Sequence, residues 1–164
     1  MKKRFSILNS HFSIQRGQTL IEAVGALAVI SLVISAIAIA VTTSLNNAQF
    51  NKNQSLATKY AQQGIEIVRQ IRNSNYISFA STNGTYCLGK GQTSLGTSQS
   101  NCNIANVDTF IRSVQIEQNP GCGANVARVT VTVSFIDGKC QSNTYCHKQT
   151  EITCLSTVNP VQAP

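Results

Sequence analysis

Nineteen consecutive residues, Ala23 to Val41, consist of Ala, Val, Ile, Leu and Gly, interrupted only by Ser31 and Ser35. As a helix, about 20 apolar residues span the hydrocarbon core of a bilayer. The two serines are tolerable there, because their hydroxyls can bond back to the preceding turn. The run therefore predicts a membrane-spanning helix. It also explains a sparse charge content of 12%, against ~25% in ordinary globular chains. That sparseness excludes charge-rich disorder and a coiled coil built on Glu and Lys. The chain has 13 basic and six acidic residues, a net charge of +7. Lys2, Lys3, Arg4 and Arg16 precede the apolar run with no acid among them. A basic flank of this kind predicts a cytoplasmic N-terminus with the remainder outside. From Gln18 onward nine basic and six acidic residues remain, a net +3. Most of the excess is thus a topology signal, and nucleic acid is not indicated as a partner.

A secretory signal peptide would place a small-residue cleavage site after its apolar region. Here Gly17-Gln18-Thr19-Leu20-Ile21-Glu22 comes before it. A lone carboxylate at the mouth of a membrane helix is costly, about 2.5–3.5 kcal/mol at mid-membrane and less near the interface. Glu22 is therefore either a functional group or a helix-start acid complementing the macrodipole.

Arg16-Gly17-Gln18-Thr19-Leu20-Ile21-Glu22 followed by the apolar stretch resembles the class III leader of type IV pilins and type II secretion pseudopilins. The resemblance covers Arg16 to about Leu45, more weakly the helix to about Arg72, and no motif beyond. It implies cleavage between Gly17 and Gln18 by prepilin peptidase and methylation of the new amino terminus on Gln18. The family commonly has Phe at that position. It implies that Glu22, fifth in the mature chain, neutralises the N-terminal ammonium of a neighbouring subunit during filament assembly. An amine and a carboxylate in an apolar bundle are each expensive alone and tolerable as a pair. Many pilins carry a proline midway along the apolar segment; this chain has none between Ala23 and Val41. The implied partners are other pilin subunits, prepilin peptidase and an inner-membrane assembly platform. The implied location is the plasma (inner) membrane for a single-pass precursor, then an extracellular or periplasmic filament.

Helical periodicity continues past the span. Leu56, Tyr60, Gly64, Ile67 or Val68, and Ile71 recur at steps of three or four, one apolar stripe. Asn46, Asn47, Asn51, Asn53 and Gln54 lower helix propensity between the two parts and make a bend or frayed turn there plausible. Gly64 is either a point of close strand approach or without special purpose. Arg69 and Arg72 either meet nucleic acid or form a solvated face. The expected organisation is a leader over 1–17, a membrane and filament-core helix over 18–45, an amphipathic half over 46–73, and a head over 74–164.

Within the head, 74–106 is rich in Ser, Thr, Asn and Gly, which reads as loop. Strand-like alternation follows over 107–118, 126–136 and 149–158, separated by turn signals at Asn119-Pro120-Gly121 and Asp137-Gly138. The sheet thus occupies 107–158, and 159–164 reads as a tail. The fold class is α+β: a long N-terminal helix packed on a small antiparallel sheet, pilin-like.

Cys87, Cys102, Cys122, Cys140, Cys146 and Cys154 all follow the membrane run and suit disulfides in an oxidising exterior. Fifteen pairings are open. Cys140–Cys146 is the first choice, flanking the loop of the last hairpin, and Cys87–Cys102 the second. Cys122–Cys154 remains, with its members assigned to different ends of the sheet. Zinc is disfavoured, because Cys140, Cys146 and His147 lack paired C-x-x-C spacing. No catalytic residues, cofactor or metal are expected: His11 and His147 are the only histidines, and the acids form no evident pair. The expected function is a structural filament subunit, major or minor. The alternatives are a secretion pseudopilin or a non-polymerising membrane-anchored extracellular binding domain.

Overall fold

The computed structural model describes residues 18–99, 101–119, 121–138, 140 and 145–158. The chain divides into two compact units, Met1–Leu45 and Asn46–Pro164. A single helix, α1 (Gln18–Ser74), runs through 57 residues. It continues unbroken through the Asn-rich stretch at 46–54. Local propensity there is weak, but propagating a helix already nucleated on both sides costs little, and Phe50 packs against the core.

The fold is α+β. The second unit holds the end of α1, a short helix α2 (Tyr76–Ala80), and strands β1 (Gly84–Cys87), β2 (Ile111–Gln118), β3 (Val126–Phe135) and β4 (His147–Ser156). The sheet is antiparallel throughout, in the order β1-β2-β3-β4. Alternation sets its two faces. Val114, Ile116, Val129, Val131, Val133 and Phe135 are buried on one side. Thr130, Thr132 and Ser134 lie on the other, half-buried. There Glu117 and Arg128 face one another across β2 and β3 and pair at 2.6 Å.

Two expectations need correction. Residues 74–106 are not one loop, since they contain α2 and β1. Asn75 caps α2, its side-chain oxygen accepting from the Ser78 N–H at 2.9 Å. β1 exists because its four residues pair with Ile116 to Ser113 of β2. Gly84 opens it at φ 119°, where an added Cβ would lie 2.6 Å from Ser98 Oγ, so only glycine fits without strain. Conversely, β2 begins at Ile111, because Val107 and Phe110 instead close a tight bridge.

The apolar stripe of α1 is centred differently from the large residues. Its fully buried members are Ala57, Ala61 and Val68, with Gly64 also buried. Leu56, Tyr60, Ile67 and Ile71 flank them, half-buried. Small residues at the centre let the helix axis come close to the sheet. At Gly64 a Cβ would sit 2.8 Å from Val131 Cγ1 and 3.2 Å from Arg112 Cδ, so this glycine is a point of close approach. Gly64→Ala should gain about 1 kcal/mol of helix propensity and lose about 1–3 kcal/mol to overpacking against β3. Overpacking wins, because Val131 is held between two neighbouring strands. The expected result is a lower thermal midpoint for the head; a higher one refutes the close approach.

Candidate functional site

Two regions concentrate unusual features: the apolar part of α1, and the disulfide-bearing ends of the sheet. From Leu20 to Leu45 the large apolar side chains are between 51% and 72% exposed, and no described residue covers them. This helix is long and apolar enough to cross a membrane. Three of its hydroxyls bond back to the preceding turn. Ser31 Oγ donates to Leu27 O at 2.9 Å, Ser35 Oγ to Ser31 O at 2.8 Å, and Thr42 Oγ1 to Ala38 O at 3.1 Å. Glu22 is the one charged residue on this exposed, largely hydrocarbon surface.

The first turn of α1 contains no acidic residue, so Glu22 lies beyond it. Macrodipole stabilisation fades within that turn, which weakens the helix-start reading of Glu22. Among the described residues no basic group pairs with it. Gln18 begins α1, whereas Gly17 and the leader 1–17 lie outside the described residues, as does the tail 159–164.

In the head, the cysteines form three disulfides: Cys87–Cys102, Cys122–Cys154 and Cys140–Cys146. Cys122 and Cys154 meet at one end of the sheet. The β2–β3 turn returns beside the C-terminal end of β4, where Arg128 faces Cys154 and Val126 faces Ser156.

Arg112 is the one buried charged residue among those described, 1% exposed. Its position in β2 places it on the helix-facing side of the sheet, opposite Val133. Nε donates to Leu88 O at 2.9 Å, Nη2 to Gly89 O at 2.7 Å, and Nη1 to Tyr60 O of α1 at 3.1 Å. One planar fork thus ties helix, loop and sheet, a task that suits guanidinium better than ammonium. Among the described residues no carboxylate pairs with it, and burial lowers its pKa. Asn106 reinforces the join by bonding the Arg112 backbone at both N–H and C=O.

Above this clamp, the Tyr60 hydroxyl donates to Asp108, and Lys90 lies 3.4 Å from the same carboxylate. The tyrosine hydrogen bond, then Lys90, hold the Asp108 pKa below its usual range; the same bond raises that of Tyr60. The two arginines named for nucleic acid are otherwise engaged. Arg69 pairs with Glu66 at 3.1 Å. Arg72 stacks over the Tyr76 ring at 5.5 Å and approaches Ser156 O at 3.5 Å.

A second cluster adds one residue, Asp137, to the Cys140, Cys146 and His147 set that spacing disfavoured as a zinc site. Asp137, Cys140, Cys146 and His147 bring their ligand-type atoms within 4.8 Å of one another. Asp137 reads in sequence as a turn residue; only the folded hairpin places it beside His147. Imidazole Nε2 lies 3.0 Å from Asp137 Oδ1, but not in line for a hydrogen bond, and among the described residues this buried atom has no hydrogen-bond partner.

Compared with protein-family models, curated proteins and solved structures, the chain matches none.

Proposed function

We propose that this chain is a structural, non-enzymatic subunit of a type IV pilin-like filament, held in the membrane as a single-pass precursor and assembled through α1. The observation that carries the reading is the uncovered apolar surface from Leu20 to Leu45 with Glu22 as its lone charge. In the precursor, lipid covers that surface. In the filament, the helices of neighbouring subunits replace lipid, and Glu22 meets the amino terminus freed at Gln18. The fold agrees with this role: a long apolar helix, an antiparallel sheet and disulfides.

Intact-mass analysis of the protein from its host tests the reading. The expected mature chain begins at Gln18, carries one added methyl group, and lacks six hydrogens for its three disulfides. An N-terminus still at Met1, or a cut after the apolar run, overturns it. Pilus and secretion-pseudopilus roles share this N-terminus. Genes for a retraction ATPase, or for a secretion ATPase and secretin, beside this one distinguish the two.

A further inference from the structure

The geometry points to a redox-gated zinc site at the β3–β4 hairpin, formed by Asp137, Cys140, Cys146 and His147 when the two cysteines are thiolates. This inference is independent of the filament reading. Two thiolates, one imidazole and one carboxylate make a four-ligand set of the type zinc accepts in tetrahedral geometry. With Zn–S of about 2.3 Å and Zn–N and Zn–O of about 2.0–2.1 Å, tetrahedral ligands lie about 3.3 Å apart for N and O, and about 3.5 Å for S and O. Here Nε2 and Oδ1 are 3.0 Å apart, and Cys140 Sγ lies 3.6 Å from the same Oδ1. Both of these distances to Asp137 Oδ1 thus already stand near zinc spacing, and all four ligand atoms lie within 4.8 Å of one another. Zinc also requires the bonded sulfurs to part to about 3.8 Å, the edge of the same tetrahedron.

The surroundings are those of a prepared site. The His147 ring stacks on Phe135 at 5.2 Å and meets the edge of Phe50 at 5.0 Å, which fixes the direction of Nε2. Among the described residues that buried nitrogen has only the Asp137 carboxylate beside it and no aligned hydrogen bond, a costly state for a buried polar atom that coordination relieves. The Asp137 N–H points at Cys140 Sγ from 3.5 Å, the kind of outer contact that orients a metal-bound thiolate. A cleft of about 260 Å³, bordered by Asn46, Gln49 and Asn53, reaches one of the four ligands, Asp137. Among the described residues, no other group of three or more such ligands gathers this closely.

Cysteines enter a chain as thiols, so zinc can load before oxidation. A disulfide-bearing oxidant, RSSR, then takes two electrons from the zinc-bound thiolates. The Cys140–Cys146 bond forms, RSSR and two protons become two RSH, and Zn²⁺ leaves. In reverse, a dithiol reductant becomes a disulfide and the opened cysteines bind Zn²⁺, with two protons released.

The test uses the full chain in detergent, with and without a dithiol reductant, and reads zinc by native mass spectrometry and Co²⁺ substitution by its thiolate charge-transfer band. One metal ion per reduced chain is expected, with none on the disulfide form. Cys146→Ser should weaken binding about 100-fold, and His147→Ala and Asp137→Asn at least about tenfold each. The double change Cys87→Ser and Cys102→Ser should leave binding unchanged and shows whether zinc sits on another cysteine pair. Zinc on the oxidised protein, no zinc on the reduced protein, or binding indifferent to His147→Ala and Asp137→Asn overturns the site.

Discussion

Glu22→Ala should leave the chain in the membrane in ordinary amount and remove it from filaments. In lipid the substitution is favourable, since it deletes a carboxylate from an otherwise apolar helix. In the filament proposed above, it strands a neighbour's ammonium without its counter-charge. Breaking a buried pair by removing one partner costs about 3–5 kcal/mol. At 1.4 kcal/mol per power of ten, each subunit addition becomes weaker by about two to three and a half powers of ten. A growing polymer does not survive a loss of that size at every step. Glu22→Asp keeps the charge on a shorter arm and should restore part of the assembly. Counting filaments by electron microscopy beside membrane-fraction blots separates the two effects. Normal filaments from the alanine variant would remove the main physical support for assembly through α1.

The head should be most sensitive at Arg112. Arg112→Met fills much of the space but withdraws the donors from Leu88 O, Gly89 O and Tyr60 O. A buried acceptor left unsatisfied costs about 1–3 kcal/mol. Tyr60 O sits within a helix, where a backbone N–H four residues on supplies a second donor, so the loop carbonyls carry most of the loss. Removing an uncompensated buried cation offsets part of it. The hydrogen-bond loss wins, because Leu88 is fully buried and its carbonyl has no water to turn to. A net destabilisation of about 3 kcal/mol is expected for Arg112→Met. For Arg112→Lys it is about 2 kcal/mol, because one ammonium cannot reach three carbonyls spread over α1 and the Leu88-Gly89 loop. Urea unfolding of the purified chain checks both. A lysine variant as stable as the parent would show that charge, not fork geometry, matters here.

What was legible in the sequence follows from how local each signal is. The apolar run and the alternation Val129, Val131, Val133, Phe135 are periodic over many residues, so period alone identifies helix and strand. β1 has only four residues, one of them buried, and no period can be read from so short a segment. Its strand character comes from β2, some 30 positions away. The stripe of α1 looked centred on its largest residues, yet the sheet seats on Ala57, Ala61 and Gly64, because closeness requires small side chains. Arg112 carries a charge and so reads as surface. Its burial depends on three carbonyls that converge only after folding. The Asp137–His147 approach is hidden for the same reason: it joins two sides of a hairpin whose turn composition speaks only of the turn.

The three disulfides lie wholly outside α1, and this has a mechanical consequence. A pull on the N-terminal end of α1 meets non-covalent ties where the helix seats on the sheet: side-chain packing, the Arg112 fork, the Tyr60–Asp108 hydrogen bond and the Arg72 contact with Ser156 O. Beyond that seat the chain is reinforced covalently. Cys87–Cys102 withholds a segment of 15 residues from extension, and Cys122–Cys154 one of 32. At ~3.3–3.6 Å per residue, the bonded head stretches about 50 Å and about 110 Å less than its reduced counterpart. Cys140–Cys146 adds nothing to this, being nested inside the larger loop. Under load the helix seat yields first, and the sheet behind it gives out only a short length of chain.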